Sequence, residues 1–89
     1  MPSIDAAIVN RLGLHARAAA KLTHIASGFQ SDIWLSRSGR RVNAKSIMGV
    51  MMLAAGQGTT VLIEANGGDA EQAVAAILKL IADKFGEGE

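Results

Sequence analysis

A chain of 89 residues has room for one small domain, residues 1–89, and excludes a second. Its 49% hydrophobic and 19% charged residues, with one proline, exclude a disordered chain. The lack of cysteine excludes a disulfide scaffold, a cysteine zinc site and thiol catalysis, and nine basic against eight acidic residues (net +1) give no broad field for nucleic acid or anionic lipid.

The opening Met1-Pro2-Ser3-Ile4-Asp5 has neither the basic nor the apolar region of a secretory signal. The longest apolar stretch, 47–55, is broken by Gly49 and falls far short of the roughly 20 residues of a membrane span. A cytoplasmic protein without membrane insertion is expected. Ile4, Ala6 and Ile8 recur with a period of two, which predicts a first strand ending near Asn10. Over 16–27, Ala19, Leu22, Ile25 and Ala26 recur at helical spacing, with Gly28 as a helix-ending residue. Ile33 and Leu35 alternate with Asp32, Trp34 and Ser36, and Ser38-Gly39 turns the chain into Arg40-Arg41-Val42-Asn43, a hairpin. Ser46 caps a short helix from 47 to about 53, and Val61 and Ile63 mark a fourth strand. Asp69-Ala70-Glu71-Gln72 approximates a capping box, behind which Ala73, Val74, Ile77, Leu80, Ile81 and Phe85 trace one helical face. Lys79 and Lys84 lie toward the end of this helix and Gly86 lies past it.

The order βαββαβα predicts an α+β open-faced sandwich, a four-stranded antiparallel sheet with three helices on one face. Ile4, Ala6, Ile8, Ile33, Leu35, Val61 and Ile63 should face Leu22, Ala26, Val74, Ile77 and Ile81, with Trp34 on the opposite side.

The segment Asn10-Arg11-Leu12-Gly13-Leu14-His15-Ala16-Arg17 places a histidine where a strand-to-helix turn meets the helix. The first helical amides, those of Ala16 and Arg17, point at an anion with about half a positive charge behind them. That field disfavours imidazolium, and histidine, ordinarily titrating near pH 6.5 (about), is a nucleophile when neutral. A phosphoryl group on His15 would put its oxygens among these amides, with the Arg17 guanidinium as a further ligand. The plain alternative makes His15 a weak cap and Arg17 a solvated helix residue; the residues alone leave both open. His15 and His24 do not make a metal site, and no metal or cofactor is expected. Ser46 needs no role beyond capping. In the same short helix Val50 suits the core, while Met48 and Met51, with Ile47 and Leu53, are candidates for an adaptable docking surface. Arg37, Arg40 and Arg41 read as a solvated hairpin edge.

Two segments resemble the HPr family, the histidine-containing phosphocarriers of the bacterial phosphotransferase system. Gly13-Leu14-His15-Ala16-Arg17 is similar to the family's active-site signature, and Asn43-Ala44-Lys45-Ser46-Ile47-Met48-Gly49-Val50-Met51 to its regulatory serine segment, at the family's separation. The resemblance implies that enzyme I, charged by phosphoenolpyruvate, phosphorylates His15 at Nδ1, that Arg17 holds the phosphate, and that a histidine of a sugar-specific enzyme IIA receives it. It also implies an HPr kinase/phosphorylase acting on Ser46. The carrier is expected to be a monomer and not an enzyme in its own right. Ala18 departs from the family's common proline, which touches local rigidity more than chemistry. The nearest alternative is the nitrogen-related phosphotransferase paralogue with a purely regulatory role, against which Lys45-Ser46-Ile47-Met48-Gly49 speaks. An acylphosphatase-like enzyme would invest arginine and asparagine instead of a histidine. A small RNA-binding sandwich would need stacking aromatics and a basic patch, where this chain has two Phe, one Trp and net +1.

Overall fold

Period-two and helical stretches alternate along the chain, and the computed structural model, which describes residues 2–88, turns each into an element. These are β1 (Ser3–Ala7), α1 (Ala16–Ser27), β2 (Asp32–Arg37), β3 (Arg40–Asn43), α2 (Ile47–Met52), β4 (Thr60–Asn66) and α3 (Ala70–Ala82), followed by a 3₁₀ turn over Lys84–Gly86. The strands form one antiparallel sheet in the order β1-β4-β2-β3. Ile63 at its centre stands between Ile4 of β1 and Leu35 of β2. The expected α+β sandwich, with three helices on one face of the sheet, is the observed fold.

Because side chains alternate along a strand, Ala6, Ile33, Leu35, Val61, Ile63 and Ala65 share the helix-covered face and are buried. They pack with Leu22 and Ala26 of α1 and Ala73, Val74, Ile77 and Ile81 of α3 in one hydrophobic cluster. Trp34 takes the other face as expected, with the Arg41 guanidinium 4.1 Å from its ring centroid. Arg41 also lies 3.4 Å from the Glu64 carboxylate. At the hairpin, Ser38 and Gly39 both have positive φ (52° and 81°), the pairing that lets two residues reverse a twisted ribbon.

Four expectations are corrected. Ile4 was assigned to the buried face but is 39% exposed, because it lies near the outer end of an edge strand. β1 stops at Ala7 instead of near Asn10; Ile8 then bonds its neighbour outside the ladder, donating to the Thr59 carbonyl at 2.8 Å. Asp69 stands at the N-cap of α3 but makes no side-chain cap bond. Its carboxylate instead accepts from the amides of Gln30 and Ser31, both at 2.9 Å, and from the Ser31 hydroxyl at 2.5 Å. Three donors from the α1–β2 loop outcompete the single helix amide a cap would serve. Finally, α3 ends at Ala82 and Phe85 does not extend it. Lys84, Phe85 and Gly86 all adopt positive φ (55°, 55° and 74°), which swings the chain back so that Phe85 becomes fully buried. Burying that ring contributes about 1.5–3 kcal/mol, enough to offset backbone strain of about 1–3 kcal/mol per non-glycine residue only with help. Lys21 supplies some of it, Nζ donating to the Phe85 carbonyl at 2.6 Å. Gly28, expected to end α1, does so in right-handed conformation (φ −75°), its amide bonding the Ala26 and Ile25 carbonyls.

Candidate functional site

The loop from β1 to α1 is built around Asn10, which is completely buried although polar. Its Nδ2 donates to the Gly13 carbonyl at 2.8 Å and closes a tight turn. Gly13 sits at φ +65° against the α2–β4 connection; a Cβ there would lie 2.5 Å from the Ala55 carbonyl oxygen and 2.8 Å from Gly56 Cα. Leu14 then donates to that same Ala55 carbonyl at 2.9 Å. The turn is therefore pressed backbone to backbone onto its neighbour, which fixes where the next residue starts a helix. That residue is His15, the N-cap of α1, with extended backbone (φ −73°, ψ 178°). Its carbonyl accepts from the Ala19 amide at 2.8 Å, while its side chain makes no capping bond. The imidazole is free of the usual duty of a cap.

What the imidazole touches was not foreseen. Nε2 shares a hydrogen bond with Oε2 of Glu87, and the other Glu87 oxygen, Oε1, accepts from Asn10 Nδ2 at 3.0 Å. The hydrogen bond from Asn10 is the main reason the Glu87 carboxyl stays below its ordinary value of 4.5; burial opposes the shift, and His15 and Lys21 reinforce it. An ionised carboxylate only accepts, so Nε2 is the ring nitrogen that carries hydrogen. When the ring is neutral, its free lone pair is on Nδ1. Nothing in the spacing of residues announces Glu87, because 72 positions separate it from His15. The only signal is an acidic residue between glycines, Gly86-Glu87-Gly88, just past the last helix.

Around the ring lies a surface depression lined by Arg11, Leu12, His15, Ala16, Arg17, Lys21, Gly86 and Glu87. His15, Ala16 and Arg17, singled out in the sequence, are thus brought together. Ala16 and Arg17 are exposed on the first turn, with the Arg17 guanidinium paired to no carboxylate among the described residues. Arg11 and Lys21 add positive charge, and the helix terminus adds its own partial charge. Positive charge gathered beside an imidazole suits an anionic group such as a phosphate. Among the described residues no three His, Cys, Asp or Glu side chains gather as a metal site. His24 is exposed on α1 near its C-terminal end.

Ser46 caps α2, its Oγ accepting from the Gly49 amide at 3.1 Å. Of the docking candidates, Ile47, Met48 and Met51 are exposed, Met48 most of all at 70%. Leu53 is corrected: it is buried, and α2 ends before it. A helix of two turns presents its inward face at Val50 and again three residues later, so Leu53 enters the core with Val50. Met52 is exposed instead. The hairpin arginines are also not merely solvated: Arg37 Nη1 donates to the Leu53 carbonyl at 3.0 Å and Arg40 Nη1 to that of Met52 at 3.1 Å, holding the end of α2.

The family profile described as "PTS HPr component phosphorylation site" matches residues 2–83. The chain belongs to the HPr family. It is a phosphocarrier of the phosphotransferase system, as its HPr relatives are. The HPr of Cupriavidus necator is 61% identical over 85 residues, which cover 96% of each chain. A solved structure of HPr-C-His from Thermoanaerobacter tengcongensis superposes with TM-score 0.95 at 47% identity, covering 98% of both chains. A structure described as an HPr dimer from the same organism gives 0.79 at 47% identity, over 98% of this chain and all of that one. The HPr profile ends at residue 83, so Glu87, the partner of His15, lies outside the matched span.

Proposed function

We propose that this HPr-family chain carries phosphoryl groups on His15: Nδ1 takes one from phospho-enzyme I and gives it to a histidine of a sugar-specific enzyme IIA. The observation that carries the reading is the bond at the ring of this N-cap histidine, where Glu87 engages Nε2 and so leaves the Nδ1 lone pair as the nucleophile. Phosphoryl transfer through a loose transition state asks mostly for positioning and charge stabilisation. Arg17 and the Ala16 and Arg17 amides supply the charge. The protein itself is modified once per cycle and is a stoichiometric carrier, not a turnover enzyme. It acts in the cytoplasm as a monomer. Ile47, Met48 and Met51 form the apolar docking surface for both partners. Ser46 is the target of an HPr kinase/phosphorylase: a phosphate there adds about −1.5 to −2 charge beside this surface and weakens association without touching the ring.

The test is incubation with enzyme I and phosphoenolpyruvate, read by intact mass before and after acid treatment. One acid-labile phosphate is expected on the wild-type protein and none on a folded His15→Ala variant. Equal labelling of the two would move the acceptor away from His15.

A further inference from the structure

The C-terminal turn is costly to build and delivers one side chain. Lys84, Phe85 and Gly86 stand in the left-handed region in succession, a conformation that persists only where surrounding contacts over-determine it. Here the contacts are the buried Phe85 ring, the Lys21 bond to the Phe85 carbonyl, and the Asn10 and His15 bonds to Glu87. Asn10 is itself buried, and its amide oxygen, Oδ1, has no partner among the described residues. An unpaired buried polar atom has a cost of roughly 1–3 kcal/mol. Its other amide atom serves both the turn that places His15 and the carboxylate that meets it.

We infer that Glu87, held by Asn10, is a positioning residue for phosphoryl transfer that steadies His15 through Nε2 and stabilises the phosphorylated ring. The inference rests on His15 being the acceptor. In the step itself the Nδ1 lone pair attacks phosphorus and the donor's nitrogen–phosphorus bond breaks, its electron pair returning to the donor histidine. The new Nδ1–phosphorus bond leaves the ring of this chain positively charged, with its proton still on Nε2. That proton faces a carboxylate already ionised. That bond puts on the ring a positive charge that a neutral imidazole lacks, so the attraction grows as the phosphoryl group arrives, and the product is favoured over the free carrier. The distance between the two ring nitrogens keeps the carboxylate on the far side of the imidazole from the phosphate.

The experiment equilibrates the full chain with enzyme I and phosphoenolpyruvate and compares wild type with Glu87→Gln, which keeps the size of the side chain and removes its charge. The ratio of phosphorylated to free protein, read by mass at fixed phosphoenolpyruvate and pyruvate, is expected to fall about threefold to tenfold, a charge-assisted bond discounted for partial exposure. The concentration giving half-maximal rate should stay unchanged, because α2 is untouched. In ¹⁵N spectra of the phosphorylated protein, wild type should show a slowly exchanging Nε2–H signal that Glu87→Gln loses. Asn10→Ala should move the ratio in the same direction if its melting temperature shows it folded; Glu87→Gln, at a partly exposed site, decides the matter alone. An unchanged ratio with an unchanged Nε2–H signal overturns the inference, as does a raised ratio, which would mean repulsion of the phosphate dominates. Absence of any acid-labile phosphate on wild type would instead overturn the assignment of His15.

Discussion

Gly13 shows how little tolerance there is beside the His15 ring. Its positive φ and the 2.5 Å approach that a Cβ would make to the Ala55 carbonyl act together, and that oxygen is backbone, fixed by its bond from Leu14. Gly13→Ala is expected to cost about 1–3 kcal/mol, read as a lower denaturation midpoint, and to slow phosphoryl acceptance by displacing His15. Gly39→Ala is the control: its φ is also positive, at 81°, but nothing lies within 4 Å of the added carbon, so only the conformational cost remains. At this scale His15 was legible because its place at a helix start is written in consecutive residues. Glu87 was not, since a contact across the length of the chain follows from packing and from no local pattern.

The short helix α2 is held at both ends by side chains. Ser46 accepts from Gly49 at the start, and Arg37 and Arg40 take the last carbonyls, so a two-turn element of marginal intrinsic stability presents a fixed apolar face. Ser46→Ala should lower stability by about 1 kcal/mol through loss of the cap acceptor. Ser46→Asp restores an acceptor and should keep most of that stability, yet require more protein for the same rate of enzyme I dependent labelling. Identical concentration curves for wild type and Ser46→Asp would leave Ser46 as a cap alone. The cap was readable from one residue type; the arginine bonds were not, because they join a hairpin to a helix end that only the tertiary arrangement brings near.

At the start of α3 the Asp69 carboxyl is held below its ordinary 3.8, first by the Ser31 hydroxyl and next by the Gln30 amide. A depressed value means that the ionised form is the stabilised one. The stability it contributes is complete at neutral pH, declines as pH falls past 3.8, and is gone below the lower folded value. The stability gap between wild type and Asp69→Asn should accordingly be largest near neutrality and close in acid, as urea midpoints across that range would record. A gap independent of pH would show that hydrogen-bond geometry, and not charge, ties the α1–β2 loop to α3.

For the whole molecule, the element order, the helix-covered sheet and most of the core could be read from periodicity. Which strands are neighbours is decided by the closure of the fold. Only β2 and β3 are adjacent both in sequence and in the sheet. The edge strand β1 meets β4, Ala7 opposite Thr60 and Ser3 opposite Glu64, so this pairing must close a loop of roughly fifty residues and waits on entropy that the hairpin does not face. The consequence is an order in time. A refolding chain should protect the β2–β3 amides from solvent exchange before those of β1, and the groove between the first loop and the last turn, where His15 and Glu87 meet, should be among the last features of the molecule to take shape.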